Sequence, residues 1–243
     1  MALHLPGVTL VMMDATCPEL AKLALRDTLE LVEPEDLLVI SDKYLGPHGG
    51  RQVDIEPWNT VQGYCEFLWY KLPEYIPSKH MLTIQWDGWV TNPEMWDPEY
   101  LEYDYVGAPW WYNDGHNVGN GTGLRSKRLM DFLVKHRDVF PVKGKEDELL
   151  CRVYRPTLEQ HGFKWAPEQL ASKFAFECTR PSVDSKHFMF HDSFNFPVVL
   201  SGDRLDERVR LMKANPYIQK GQKLKELEAG RRASILDRLA PQP

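Results

Sequence analysis

The chain has 243 residues, of which 43% are hydrophobic, and its 35 acidic and 29 basic side chains give a formal net charge of −6. This is the composition of an ordinary globular protein, which excludes wholesale disorder, and no run approaches the roughly 18 apolar residues of a membrane-spanning helix. The cysteines Cys17, Cys65, Cys151 and Cys178 form no Cys-x-x-Cys pair, so free thiols are expected. The apolar segment 5–13 lacks a basic flank and favours a buried strand over a signal peptide, which predicts a cytoplasmic protein.

The first third of the chain alternates strand and helix patterns. Apolar runs predict strands at 7–13, 36–41 and 81–84, and helical spacing predicts helices from Cys17 to before Glu33 and over 60–70, with a loop at 45–56. A β-α-β-α-β order predicts a parallel, doubly wound sheet flanked by helices. In such sheets, ligands bind beyond the carboxyl ends of the strands.

The rest of the chain is less regular. Residues 85–125 are rich in Trp, Tyr, Gly and Asn and give few helix signals, and helices are expected at 126–140 and 146–160. We expect residues 1–200 to form one domain. Residues 201–243 carry ten Lys/Arg against six Asp/Glu and are expected to form a basic extension of one or two surface helices.

Acidic and polar residues follow the predicted strands. Asp14, Ser41 and Asp42 end the first two strands, and Asp87 follows the third. A carboxylate at such a position suits a hard divalent cation that bridges phosphate oxygens. The alternative for Asp87 is an ordinary turn residue before Gly88, which is the commoner role of an Asp-Gly pair.

Two further motifs suggest chemistry. Gly119, Asn120 and Gly121 begin a glycine-rich stretch in which the backbone can approach a ligand closely, although it matches neither the dinucleotide fingerprint nor the phosphate-loop pattern and could be an irregular loop. Glu146 and Asp147 begin a predicted helix, where the helix dipole stabilises acidic side chains, and this alone could explain the pair. The functional alternative is that one of the two carboxylates is a general base.

His191 lies in the apolar run 188–192 and is either a core histidine or a metal ligand. Five of the eight tryptophans fall between Trp86 and Trp111. Most of these are expected in the core, and exposed ones near a crevice would form platforms for sugar rings or bases.

Taken in order, these motifs resemble a family of glycosyltransferases with the GT-A fold. The resemblance covers residues 7–195 and depends on Ile84–Val90 (IQWDGWV), Trp96–Trp110 (WDPEYLEYDYVGAPW), Val118–Gly121 (VGNG), Leu124–Ser126 (LRS), Glu146–Asp147 and Phe190–His191. It implies a GT-A-like, mixed but mostly parallel α/β sheet. It also implies metal-dependent sugar transfer from a nucleoside-diphosphate sugar, with a UDP-sugar as first choice, to an acceptor hydroxyl, with inversion favoured over retention.

The resemblance also implies site residues. Asp87 and His191 would hold Mn²⁺ or Mg²⁺, with Gln85 where the family motif has its first Asp, and Asp147 would be the catalytic base. The implied donor-binding residues are Asp14, Ser41, Asp42, Gln85, Trp86 and Gly88, and the implied acceptor-side residues are Gly119, Asn120, Gly121 and Glu146. The chain departs from the family pattern in a shorter glycine loop, and in Met189 and Asp192 where glycines are usual.

Alternatives remain open for the acceptor and for catalysis itself. The acceptor is expected to be a glycan or polysaccharide precursor, and less favourably a hydroxylated DNA base contacted by the basic residues in 204–232. A non-catalytic nucleotide-sugar or carbohydrate-binding protein is the rival class, which Gln85 keeps open. The absence of glycine in 14–18 and of a Gly-x-Ser-x-Gly elbow disfavours a dinucleotide oxidoreductase and a nucleophilic hydrolase.

Overall fold

The structure is a computed structural model that describes residues 2–58, 60–112, 114–177 and 186–230. Its strands are β1 (Leu3–Met13), β2 (Val32–Ser41), β3 (Arg51–Asp54), β4 (His80–Ile84), β5 (Tyr105–Val106), β6 (Gly123–Ser126), β7 (Ala175–Phe176) and β8 (Met189–Phe190). The first six form one sheet, and β7 pairs with β8 in parallel beside it.

The main sheet has the order β3-β2-β1-β4-β6-β5. Strands β1 to β4 are parallel, whereas β6 runs antiparallel to both of its neighbours, β4 and β5. This confirms the expected mixed, mostly parallel sheet. The chain moves outward from β1 to β3 and then returns to place β4 on the other side of β1. The strand order therefore reverses between β1 and β4, which is the point where doubly wound sheets open a crevice.

Ten helices cover the sheet and its edges in the described ranges. They are α1 (Pro18–Leu29), α2 (Val61–Tyr70), α3 (Lys127–Lys135), α4 (Glu146–Glu148), α5 (Arg155–Gln160), α6 (Glu168–Phe174), α7 (Phe196–Val199), α8 (Gly202–Ala214), α9 (Pro216–Lys220) and α10 (223–230). Single 3₁₀ turns occur at Leu72–Tyr75, Pro93–Met95, Pro98–Glu102 and Ser193–Asn195. No helix in this part of the chain is long and apolar enough to cross a bilayer.

The structure corrects two expectations about elements and adds two strands that the sequence did not predict. Strand β3 lies inside the predicted loop 45–56, and β5 and β6 lie within 85–125, where no strand was predicted. Each has four residues or fewer, too short for a periodic pattern to appear. The predicted helix 146–160 is divided into α4, a π-helical turn at Leu149–Val153 and α5. Pro156 explains the division, because proline lacks an N–H and disfavours helical backbone in the preceding residue.

The aromatic window contributes mainly to the core. Trp89 is 1% exposed, Trp86 and Trp110 are also buried, and Trp111 is 65% exposed. Cys17, Cys65 and Cys151 are free and buried, and Cys178 lies outside the described residues.

Helix α8 packs on α1 through charged and apolar contacts. Arg204 donates to the carboxylate of Asp27 at 2.7 Å, and Arg208 donates to the same oxygen while its guanidinium lies 4.7 Å from the ring centre of Trp89. Val209 of α8 is also buried. These arginines therefore join α8 to the rest of the fold. Residues 231–243 lie outside the described ranges, and the division into a domain of residues 1–200 and an extension of 201–243 stays a prediction.

Candidate functional site

A cavity opens where the strand order reverses. It is lined by residues 13–16 at the end of β1 and by Gln85 and Trp86 after β4, and its volume is about 430 Å³. The other walls are made by Trp58, Thr60, Val61, Tyr64 and Tyr217. The sheet therefore places three of the predicted donor-binding residues, Asp14, Gln85 and Trp86, around one space.

Asp14 ends β1 and shapes the start of α1. Its carboxylate accepts the backbone N–H groups of Cys17 at 2.9 Å and Thr16 at 3.2 Å, which satisfies donors that the helix itself cannot satisfy. Burial raises the pKa of Asp14 to about 7, and the nearby Asp42 charge also raises it, while these hydrogen bonds oppose the change. A carboxyl group that gains and loses a proton near neutrality therefore lies on the cavity wall.

The other two predicted donor residues at strand ends lie apart from the cavity. Ser41 is fully buried and accepts the backbone N–H of Lys43 at 3.2 Å, and Asp42 pairs with the Lys43 ammonium at 3.3 Å. Neither is among the described residues that line the cavity. Their contact with a nucleotide stays a prediction.

A tight turn follows β4 and directs the next side chains. The N–H of Gln85 donates to the carbonyl of Gly88 at 2.8 Å, and the N–H of Gly88 donates back at 3.1 Å. A Cβ on Gly88 would lie 2.9 Å from both the His191 ring and the Phe190 carbonyl, so only glycine fits. The amide of Gln85 donates to the Tyr64 hydroxyl at 2.7 Å. The turn thereby brings Gln85 and Asp87 against the segment that carries His191.

His191 is held through both ring nitrogens. Its Nδ1 lies 2.6 Å from Glu177 Oε1, and its Nε2 lies 3.1 Å from Gln85 Oε1. Burial alone lowers the pKa of His191, but the Glu177 carboxylate, and then Asp87, outweigh it and raise the pKa to about 9. The ring is therefore an imidazolium at neutral pH, with both nitrogens as donors. Glu177 also accepts the indole N–H of Trp110 at 2.9 Å.

Asp87 belongs to a charged group that we call the Lys223 cluster, made of Asp87, Asp192 and Lys223. The Lys223 ammonium lies 3.2 Å from Asp87 Oδ2 and 3.0 Å from Asp192 Oδ2. Asp87 is 3% exposed, and its Oδ1 has no hydrogen-bond partner among the described residues. Burial lowers the pKa of Lys223, but the two carboxylates raise it above its usual value.

The residues present fit the predicted divalent cation poorly. Both nitrogens of His191 are engaged, and Asp87 already shares the Lys223 ammonium with Asp192. Within the described ranges, no group of three His, Cys, Asp or Glu side chains could hold a metal ion. Binding of Mn²⁺ or Mg²⁺ by Asp87 and His191 therefore stays a prediction, and Lys223 is the cation that the structure places there.

The glycine stretch lies beside the Gln85 turn. A Cβ on Gly119 would meet the Trp110 ring at 2.7 Å, and one on Gly121 would lie 3.3 Å from the Gln85 amide and 3.5 Å from His191. The fully buried Asn120 exchanges backbone hydrogen bonds with the Tyr105 hydroxyl, at 2.6 and 2.9 Å. Close packing therefore requires glycine at 119, and Gly121 brings the loop to the edge of the site.

A second charged group, which we call the Arg125 pair, lies under this loop. Arg125 and Glu146 are 0% and 3% exposed. The Arg125 guanidinium donates to both carboxylate oxygens of Glu146 at 3.0 and 3.2 Å, to Thr83 at 2.8 Å, and to the carbonyls of Asn120 and Gly121 at 3.4 Å. Glu146 thus supports the glycine stretch through Arg125. Contact of Glu146 itself with an acceptor stays a prediction.

Asp147 has a different environment from its neighbour Glu146. It is half-buried, and its carboxylate accepts the N–H of Glu148 at 2.9 Å. Burial raises the pKa of Asp147, the Glu177 charge adds to this, and the charges of His191 and Arg125 oppose it. The role of Asp147 as the catalytic base stays a prediction.

The sequence-based set lacks several residues of this site, among them Glu177, Lys223 and Arg125. Glu177 follows β7, a strand of only two residues, and Lys223 lies in the part of the chain interpreted as a surface extension. Arg125 occurs inside the LRS motif, where the sequence gives no sign that it is buried. Only the motif around Arg125 offered a signal that could have been used.

A family model described as "Protein of unknown function (DUF5672)" matches residues 53–188, which is more than half of the chain. The chain belongs to this family. No curated protein matches it.

Solved structures of glycosyltransferases show distant similarity. The apo-form glycosyltransferase GlyE of Streptococcus pneumoniae TIGR4 has a TM-score of 0.46 at 11% identity over 80% of this chain, which spans only 55% of the GlyE chain. A glycosyltransferase involved in glycosylation of the major capsid of PBCV-1 has a TM-score of 0.47 at 12% identity, covering 86% of this chain and 100% of that one. S. aureus TarS 1–349 has a TM-score of 0.41 at 11% identity, covering 93% and 72%. These similarities are too distant to bear on the reaction.

Proposed function

We propose that the protein is a glycosyltransferase that moves a sugar from a nucleoside-diphosphate sugar to an acceptor hydroxyl. The observation that carries the proposal is the cavity between the ends of β1 and β4, with the Gln85–Gly88 turn at its edge. This is where doubly wound sheets bind nucleotides. The motif resemblance over residues 7–195 supports the same reaction class.

The cavity suits the nucleoside part of the donor. Its volume of about 430 Å³ is within the range of small-molecule sites. Trp58, Trp86 and Tyr217 supply aromatic surface on which a base would stack, and Asp14 supplies a hydrogen-bonding group. A nucleoside held here would direct its diphosphate toward Asp87, because Asp87 directly follows the Gln85 and Trp86 wall.

In the proposed reaction, an acceptor oxygen attacks the anomeric carbon and passes its proton to Asp147. The bond between the anomeric carbon and the diphosphate oxygen breaks, and its electron pair leaves with the diphosphate. A single displacement of this kind inverts the anomeric centre. The leaving diphosphate needs a compensating positive charge, the role for which the resemblance implies Mn²⁺ or Mg²⁺.

A glycan is the acceptor that the exposed aromatic residues favour. Trp111 is 65% exposed and stacks on Tyr112 with ring centres 5.3 Å apart. The adjacent Trp110 reaches the site through Glu177. Flat aromatic surfaces of this kind pack against sugar rings. The DNA alternative gains no such support, because Arg204 and Arg208 are paired with Asp27.

The test is a thermal-shift screen with UDP-, GDP-, CMP- and dTDP-sugars, each with and without Mn²⁺. A donor at about 100 times its dissociation constant should stabilise the fold by about 2.7 kcal/mol. Tyr217→Ala should reduce the shift, whereas Tyr44→Ala, which removes an exposed tyrosine outside the cavity lining, should not. Stabilisation by no donor would contradict the proposal. A donor that binds but is never turned over with any glycan acceptor would favour the non-catalytic class.

A further inference from the structure

The chain after α8 passes along the candidate site. The side-chain amide of Asn215 donates to the carbonyl of Thr16 at 2.9 Å, next to the carboxyl end of β1. Tyr217 then lines the cavity, and Lys223 reaches the carboxylates of Asp87 and Asp192. We call residues 215–223 the closing segment. It contributes two side chains to a site whose remaining residues come from the sheet domain.

The position of Lys223 differs from that of an ordinary surface lysine. Its ammonium is bonded to two carboxylates, at 3.2 and 3.0 Å, while Glu226 is farther away at 3.8 Å. An ammonium group has three N–H donors, so one remains for a further acceptor after Asp87 and Asp192 are satisfied. The lysine side chain is 31% exposed, so a ligand can reach this third N–H from solvent.

Asp192 is held in an unusual backbone conformation. Its φ is +77° and its ψ is 134°. Among the residues that the structure describes, it is the only non-glycine residue with positive φ. An L side chain is disfavoured there. The contact with Lys223 gives a reason for a carboxylate at this position, since Asp192 helps to fix the ammonium beside Asp87.

We propose that Lys223 binds the diphosphate of the donor and supplies the positive charge that the leaving diphosphate requires. The inference rests on the proposed function and makes it more specific. Asp87 and Asp192 hold the ammonium in place and leave one N–H for a phosphate oxygen. In this arrangement the lysine takes the role that the resemblance assigns to Mn²⁺ or Mg²⁺.

Electrostatics favours this assignment. A diphosphate that approached Asp87 and Asp192 without a cation between them would meet two like charges. Both ring nitrogens of His191 are already engaged, Nδ1 with Glu177 and Nε2 with Gln85. Lysine is a compact point charge and a common phosphate ligand, and its charged hydrogen bonds are stronger than neutral ones. Lys223 is therefore the group at Asp87 that can neutralise an incoming phosphate.

Isothermal titration with UDP and GDP in the presence of EDTA tests the proposal on the full chain. The nucleotide that binds is then compared with its monophosphate in Lys223→Met, in Lys223→Arg and in Lys225→Met, a control at an exposed residue of the same helix. Lys223→Met should weaken diphosphate binding at least about tenfold, which is the size of a charged hydrogen bond. It should change monophosphate binding little. Lys223→Arg should restore most of the affinity, and Lys225→Met should match the wild type.

The outcomes separate this inference from the proposed function. If the wild type binds the diphosphate only with Mn²⁺ and Lys223→Met binds as well or better, then a metal ion takes this position and the inference is wrong. An equal loss for diphosphate and monophosphate would show that Lys223 only docks the closing segment, and would also overturn it. If the wild type binds neither nucleotide with or without Mn²⁺, the proposed donor class is wrong and the inference is rejected with it.

Discussion

The Arg125 pair and the Lys223 cluster are two charged groups within one site, and they differ in how far solvent can reach them. Arg125 and Glu146 are almost fully buried, and every partner of the guanidinium in the structure belongs to the sheet domain. In the Lys223 cluster the cation is partly exposed and comes from the closing segment. The Arg125 pair is closed to solvent and supports a framework, whereas the Lys223 cluster is open to a ligand.

The residue types agree with this division. One nitrogen of the Arg125 guanidinium, Nη2, reaches both oxygens of Glu146 and the two carbonyls of the glycine loop, while Nη1 donates to Thr83. The flexible lysine side chain carries a point charge that can shift between acceptors. Two changes probe these groups and two probe the carboxylates Asp147 and Asp14 outside them, beginning with the largest expected effect.

Asp147→Asn should lower turnover by about 10²–10⁴-fold, because a positioned general base contributes that much. Donor binding and melting temperature should stay near the wild-type values, since Asp147 is half-buried and not part of the Arg125 pair. Steady-state kinetics and donor titration on the same sample measure both. A fully active Asp147→Asn would show that the base lies elsewhere.

Arg125→Met should destabilise the fold by about 3–5 kcal/mol, since it leaves the Glu146 carboxylate buried without its cation. Urea unfolding measures the change, with the exposed Arg137→Met as a control that should lie within about 0.5 kcal/mol of the wild type. The double change Arg125→Met with Glu146→Leu should recover part of the loss. If Arg125→Met alone costs less than about 1 kcal/mol, the pair is not the framework described here.

Asp14 is a buried carboxylate outside both groups. Its hydrogen bonds come from neutral groups, the backbone N–H groups of Thr16 and Cys17 and the hydroxyl of Thr16. Its pKa rises from 3.8 to about 7 on burial, so between these values the folded protein holds a proton that the unfolded chain has lost. Stability should therefore fall as pH rises from about 4 to 7, by up to about 4 kcal/mol.

Asp14→Asn removes this titration and should flatten the decline. Melting temperatures of both proteins from pH 4.5 to 7.5 give the comparison. Parallel curves for the two proteins would show that Asp14 ionises normally in the folded state.

Asp192→Gly and Asp192→Ala both remove the carboxylate from the Lys223 cluster but differ in backbone freedom. The glycine variant should be the more stable by about 1 kcal/mol, because only glycine adopts a φ of +77° without strain. Urea unfolding of the pair measures the difference. Equal stability would mean that the backbone relaxes once the contact with Lys223 is gone.

The sequence predicts the sheet well and the site only in part. Apolar runs mark β1, β2 and β4, and their ends locate Asp14 and Gln85 because parallel strands deliver their carboxyl ends to one edge. Lys223 could not be assigned in this way, because it is more than 100 residues from Asp87 in the sequence and only the folded chain brings the two together. Glu177 and the short β5–β6 pair were missed because neighbours in space, not local pattern, determine them.

The link between Asn215 and Thr16 has a consequence for the protein during its synthesis. The last residue of the six-stranded sheet is Ser126, and about 90 further residues must be added before Asn215 appears. At usual elongation rates this takes roughly 5–20 s. A nascent chain can thus assemble its sheet while the cavity still lacks Tyr217 and the Lys223 cluster still lacks its cation. The proposed donor site is therefore complete only after residue 223 has been added.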